Sequence, residues 1–167
     1  MNKFIVITSI FQPSSAVKEF AKRNDWQIIV IGDKKSPSDW HWNGVEFLSV
    51  SDQKKLGYAL LGDLPVNHYS RKMIGYLYAM QKGADYIADL DDDNVPLQNW
   101  GVLPDNPVND TIHGTGFFNI YKEFTNELIW PRGFPLDKIK SNQVFETKKS
   151  NLRVGVWQFL ANGDPDV

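Results

Sequence analysis

The chain has 167 residues, 42% of them hydrophobic and 13% aromatic, and its 18 basic and 20 acidic side chains give a net charge of -2. That is enough chain for one compact domain with a real core, while so even a charge balance offers no field for gathering a polyanion and excludes nucleic acid as an expected partner. The absence of cysteine excludes disulfides and thiolate metal sites. No stretch reaches transmembrane length and the N-terminus carries no signal-type apolar run, so the expectation is a soluble, cytoplasmic chain with no membrane segment.

In chain order, Phe4 to Ile7 is a short, branched, continuously apolar run of the kind that forms a strand buried on both faces of a parallel sheet. It ends in Thr8-Ser9. Ser14-Ser15 then caps a helix whose apolar positions Val17, Phe20 and Ala21 share one face. A second apolar run, Trp26 to Ile31, breaks at Gly32-Asp33-Lys34-Lys35, and Val45 to Val50 reads as a third strand. Ser51-Asp52 is expected to cap a short helix over Gln53 to Leu61. Asn67-His68-Tyr69-Ser70 leads into a helix from Arg71 to Lys82 that Gly83 closes, and Tyr86-Ile87-Ala88 is a fourth strand entering the acidic run Asp89-Leu90-Asp91-Asp92-Asp93-Asn94. Beyond Pro96 the periodicity weakens into proline-punctuated aromatic segments, with Val154 to Leu160 as a final strand. Trp40, Trp42 and Trp100 sit in polar contexts; packing on loops is the preferred reading, stacking on sugar faces the sharper one.

Alternating strands and helices indicate an α/β fold, Rossmann-like, with a mostly parallel sheet and helices on both faces. Ligands in such sheets bind beyond the carboxyl ends of the strands, which here carry Thr8-Ser9, Asp33-Lys34 and the run from Asp89 to Asn94. Carboxylates so closely spaced repel one another unless a cation or hydrogen-bond donors neutralise them. A hard divalent ion, Mn2+ or Mg2+, fits these oxygen donors, taking one or two protein carboxylates and leaving positions for a diphosphate. A solvated acidic turn is the bland alternative, weakened by the run's place at the end of an apolar strand. The glycine and glutamate of an EF-hand loop, a P-loop and a G-x-G-x-x-G are all lacking.

Tyr69-Ser70-Arg71-Lys72-Met73-Ile74-Gly75-Tyr76-Leu77-Tyr78-Ala79-Met80, then Gly83-Ala84, Ile87 and Asp91-Asp92-Asp93-Asn94, resembles the STELLO-like group of glycosyltransferases. Trp130 to Leu136 and Asn162 to Val167 agree with it, so the resemblance spans most of the chain in order. It implies a GT-A fold in which residues 1–100 form the nucleotide-binding half of a single domain and 101–167 begin the acceptor half. It further implies a metal-dependent transferase moving a sugar from a nucleoside diphosphate donor, a UDP-sugar, to a glycan hydroxyl. Asp91 and Asp93 of a DxD motif would hold the metal. Asp91 would also lie near the ribose and Asp92 near the sugar, with Asp89 structural. Thr8, Ser9 and Asp33 would line the nucleotide pocket, Asp33 accepting from the uracil imide.

Arg71 and Lys72 sit where the helix dipole disfavours cations, which suggests purpose; Arg71 is the candidate for a base or diphosphate contact. Lys34 and His68 are weaker candidates, and Arg132 is either a phosphate or acceptor contact or a structural ion pair. Val167 falls inside a block that continues in the group, so a fragment or minimal version is expected. Asp164 and Asp166 are the late carboxylates available as base or donor-sugar contact, unless the Asp-Pro steps only fix a turn. The alternative function is a non-catalytic sugar-nucleotide-binding or scaffold module of a polysaccharide-synthesis complex. A nucleotidyltransferase is disfavoured because no glycine-rich, arginine-containing loop follows the first strand.

Overall fold

The computed structural model describes residues 1–98, 100–101, 108–141, 145–152 and 154–158. The chain divides into two compact units, Met1–Trp100 and Gly101–Val167. In the first, strands β1 (Lys3–Thr8), β2 (Gln27–Ile31), β3 (Val45–Leu48) and β4 (Tyr86–Asp91) form an all-parallel sheet in the order β3-β2-β1-β4.

The alternation of side chains along each strand sorts the core into two layers. Ile5 and Ile7 of β1 point with Ile28 and Val30 of β2 to one face, where they meet Val17 and Phe20 of helix α1 (Ser15–Phe20) and the buried Trp40. Phe4 and Val6 point with Ile29 and Ile31 to the other, against Ala79 of helix α3 (Lys72–Gln81) and Leu48. Helices therefore cover both faces, which is why β1 and β2 read as unbroken apolar runs.

Caps fix where the helices begin. Ser14 Oγ accepts from the Val17 N–H at 3.2 Å to start α1. Helix α2 (Val50–Lys55) is shorter and earlier than the sequence suggests, and its cap is Ser49. Ser49 Oγ accepts from the Asp52 N–H at 3.2 Å and Asp52 Oδ2 from the Ser49 N–H at 3.3 Å. Gly57 at φ +69° stops it, and a separate 3-10 turn follows over Ala59–Gly62. Helix α3 is preceded by a 3-10 turn, Tyr69–Arg71, and Gly83 at φ +79° closes it as expected.

In the second unit, β5 (Val108–His113) pairs antiparallel with β6 (Glu146–Asn151). Residues 154–158, part of the expected final strand, are not in a strand; residues 159–160 lie outside the described residues. The polar sequence of β6, Glu-Thr-Lys-Lys-Ser-Asn, gives no apolar alternation because most of its side chains are exposed.

Candidate functional site

The direction in which strands are added to the sheet switches at β1. From β1 the chain steps outward to β2 and β3, then returns to place β4 on the other side of β1. Both helix layers lean away from the carboxyl ends at such a switch point, leaving a crevice. Here the strand ends are level, Thr8 aligned with Asp91, and a direct bond spans them: Ser9 Oγ donates to Asp92 Oδ2 at 2.5 Å. The same Ser9 Oγ accepts from the Phe11 N–H at 3.2 Å, so it also fixes the turn leaving β1. Ser36 Oγ donates to the Ser9 carbonyl at 2.8 Å and accepts from the Asp33 N–H at 2.8 Å, tying the end of β1 to that of β2.

Between these strand ends and the segment entering α3 lies a cleft of about 280 Å3, near the lower limit for small-ligand sites. Thr8, Ser9 and Asp92 line it on the β1/β4 side; Asp33, His68 and Arg71 line the other. Phe11 and Tyr69, 63% and 80% exposed, stand among its walls. His68 and Tyr69 stack with centroids 4.6 Å apart.

Asp33 organises the far wall. Its Oδ2 accepts from the His68 N–H at 3.0 Å and its Oδ1 from the Lys34 N–H at 2.7 Å. Burial alone would raise its pKa, but backbone donation from Asn67, Lys34 and His68 and the charge of Arg71 outweigh it and hold the carboxyl below its ordinary value. These bonds hold the loop in which Asn67 adopts φ +55°. His68 Nδ1 accepts from the Ser70 N–H at 3.1 Å, capping the turn into α3.

Beneath the cleft runs a buried polar chain. Gln53 is fully buried; its Nε2 donates to the carbonyls of Gly32 and Leu48, each at 2.7 Å. Its Oε1 accepts from Arg71 Nε at 2.9 Å and Nη2 at 2.5 Å, while Arg71 Nη1 reaches the Leu64 and Pro65 carbonyls, each at 3.5 Å. Arg71, 3% exposed, thus lines the cleft with its guanidinium engaged inward.

The acidic run divides in two. Asp89 and Asp91 belong to β4 and are met by one lysine: Lys72 Nζ lies 2.6 Å from Asp89 Oδ1 and 2.9 Å from Asp91 Oδ1, and donates to the Leu90 carbonyl at 3.0 Å. Burial would lower the Lys72 pKa, yet its bonds to both carboxylates hold it above the ordinary value. Tyr76 OH donates to Asp89 Oδ2 at 2.5 Å, and burial together with that carboxylate raises the phenol's pKa well above its usual range. Past Asp91 the chain turns tightly. The Asp91 N–H donates to Asn94 Oδ1 at 3.0 Å, and Asn94 Nδ2 donates to Asp93 Oδ1 at 3.2 Å.

The structure thus brings Thr8, Ser9, Asp33, Arg71 and Asp92 to one cleft. Lys34 does not line it; Lys35 does, and Lys34 contributes its backbone N–H to Asp33. Asp91 and Asp93 lie at the adjoining end of β4 and its turn. Among the described residues, no three His, Asp or Glu side chains are grouped to hold a metal by themselves. Arg132 belongs to the second unit, in the turn where the Phe134 N–H donates to the Pro131 carbonyl at 3.1 Å. Asp164 and Asp166 lie outside the described residues. Sequence reasoning missed Gln53, which sits in the polar stretch Ser51-Asp52-Gln53-Lys54-Lys55, and Phe11 and Asn67; nothing local marks them. Lys72 did carry a signal, as a cation at the wrong end of a helix.

No family model matches the chain. Two curated Arabidopsis thaliana proteins do, "Probable glycosyltransferase STELLO1" at 31% identity and "Probable glycosyltransferase STELLO2" at 30%, each across 99% of this chain. The chain spans 24% of the length of each. Over nearly its whole length, therefore, this chain is similar to one stretch of two proteins named as probable glycosyltransferases.

Proposed function

We propose that this chain binds a nucleoside diphosphate sugar, a UDP-sugar, in the crevice between β1 and β4, and serves a glycosyltransferase reaction in which the sugar passes to a glycan hydroxyl. The observation that carries this reading is the Ser9–Asp92 bond across the switch point, with Asp33, His68 and Tyr69 on the facing wall of the same cleft. Similarity to proteins named as probable glycosyltransferases supports the reaction class.

In this reading the base lies against His68 and Tyr69. Asp33 has accepted backbone donors at both oxygens, but a carboxylate has about four acceptor positions, which leaves room for an imide N–H. Ser9 and Asp92 bound the ribose and sugar end. Transfer breaks the bond between the anomeric carbon and the diphosphate oxygen, and the acceptor oxygen takes its place after yielding its proton to a base. Asp164 and Asp166 enter as candidates for that base or for a sugar contact on sequence grounds alone.

The oxygen donors at the end of β4, Asp91 and Asp93, suit Mn2+ or Mg2+, ions that complete their shells with phosphate oxygens and water rather than with a full protein cage. Such an ion, when bound, supplies Lewis-acid stabilisation of the departing diphosphate.

The test is donor turnover: release of UDP from a panel of UDP-sugars by the purified chain with Mn2+, with and without glycan acceptors. The expected result is release that Asp93→Ala abolishes. Tight UDP binding with no release from any donor would instead support the non-catalytic binding module.

A further inference from the structure

Lys72 is the first residue of α3, where the macrodipole opposes a cation. Its side chain is only 14% exposed, and withdrawing an ammonium from water adds a further penalty. Both penalties are met by one set of contacts: Asp89 Oδ1 at 2.6 Å, Asp91 Oδ1 at 2.9 Å and the Leu90 carbonyl at 3.0 Å. Asp89 is held a second time, by Tyr76 OH. The strand end therefore carries a counter-ion of its own, one ammonium shared by two carboxylates that stay more than half exposed.

An ammonium and a divalent ion compete for the same carboxylate lone pairs. With Asp91 held by Lys72 and Asp89 held by Lys72 and Tyr76, the carboxylates of the run outside this network are Asp92, bonded to Ser9, and Asp93, bonded to Asn94. One or two such ligands hold a hard ion weakly, whereas a diphosphate adds oxygens and negative charge at the same place.

We propose that Lys72 is a positioning residue that keeps Asp91 from capturing a divalent ion alone, so that metal and nucleoside diphosphate enter the site as a unit. This rests on the nucleotide reading given above. Metal and nucleotide are then strongly and reciprocally coupled, each raising the other's affinity by the same factor. The coupling depends on the charge and reach of Lys72.

The experiment counts free Mn2+ by electron paramagnetic resonance during titration of the purified chain, with and without UDP, in the wild type, Lys72→Met, Lys72→Gln, Lys72→Arg and Asp89→Asn. For the wild type, UDP is expected to raise Mn2+ affinity at least about tenfold. Lys72→Met and Lys72→Gln should raise the UDP-free affinity on the order of tenfold and shrink the effect of UDP. Lys72→Arg should retain wild-type coupling, and Asp89→Asn, in which Lys72 keeps Asp91 as its carboxylate partner, should leave the UDP-free affinity low. If a neutral variant fails to fold, the other neutral variant and Asp89→Asn carry the test. Neutral variants with wild-type UDP-free affinity, or an Asp89→Asn protein that binds Mn2+ tightly without UDP, overturn the role of Lys72 while leaving the nucleotide reading standing. A wild type that binds neither UDP nor the Mn2+–UDP pair overturns both.

Discussion

Gln53 and Arg71 are joined inside the protein by two hydrogen bonds, from Arg71 Nε and Nη2 to Gln53 Oε1 at 2.9 and 2.5 Å, and through Gln53 Nε2 the pair grips the carbonyls of Gly32 and Leu48. One amide thus links the ends of β2 and β3 to the segment entering α3. Gln53→Ala would leave a buried guanidinium and the Gly32 carbonyl without that partner, at a cost of about 2–4 kcal/mol. Urea unfolding checks this; a change below about 0.5 kcal/mol, within the range of ordinary surface substitutions, would show the network to be incidental.

Gly75 sits in α3 where a Cβ would come within 2.4 Å of Val6 Cγ1 and 3.0 Å of Ile31 Cγ1. Alanine gains about 1 kcal/mol in helix propensity, but overpacking of this kind costs about 1–3 kcal/mol, and contacts this short on the sheet face place it toward the upper end. Gly75→Ala is therefore expected to lower stability by roughly 1–2 kcal/mol. A raised melting temperature would mean that α3 does not pack this closely.

Asp33 has an acid-side signature. Its folded pKa lies below the ordinary 3.8, so the stability it contributes is fully present above that value and disappears as pH falls through the lower folded value. The stability difference between the wild type and Asp33→Asn should be constant from neutrality down to about pH 5 and shrink below about pH 4. Denaturant melts across that range measure it; a difference that grows on acidification has the wrong sign.

Ser9 acts at both ends of its hydroxyl, donating to Asp92 and accepting from the Phe11 N–H. Ser9→Ala frees the Asp92 side chain and loosens the turn after β1. UDP affinity should fall about five- to tenfold, the equivalent of one hydrogen bond of about 1 kcal/mol or slightly more. Calorimetry giving an unchanged Kd would remove Ser9 from the site.

Much of the first unit could be read from sequence because its signals are local. Phe4 to Ile7 is apolar on both faces since β1 is central, Ser14 caps α1, and Gly83 takes the positive φ that closes α3. The antiparallel pair of β5 and β6 could not be read: its partners lie far apart in sequence and many of its side chains are exposed, so neither strand needs an apolar pattern. The neighbours Arg71 and Lys72 show a subtler limit. Both stood out as cations at a helix start, but which one turns inward to Gln53 and which reaches the acidic strand depends on their direction from the helix, and spacing alone does not give that.

The proposed nucleotide site is the cleft at the carboxyl ends of β1, β2 and β4. Amide chemical-shift mapping of the labelled chain during titration with UDP and Mg2+ tests it most directly. The predicted result is saturable shifts at Thr8 to Phe11, Gly32 to Lys35, Asn67 to Lys72 and Asp91 to Asn94, with the opposite ends of the strands, at Asn2, Gln27 and Tyr86, unmoved. Absence of shifts at millimolar nucleotide, or shifts confined to those opposite ends, would contradict it.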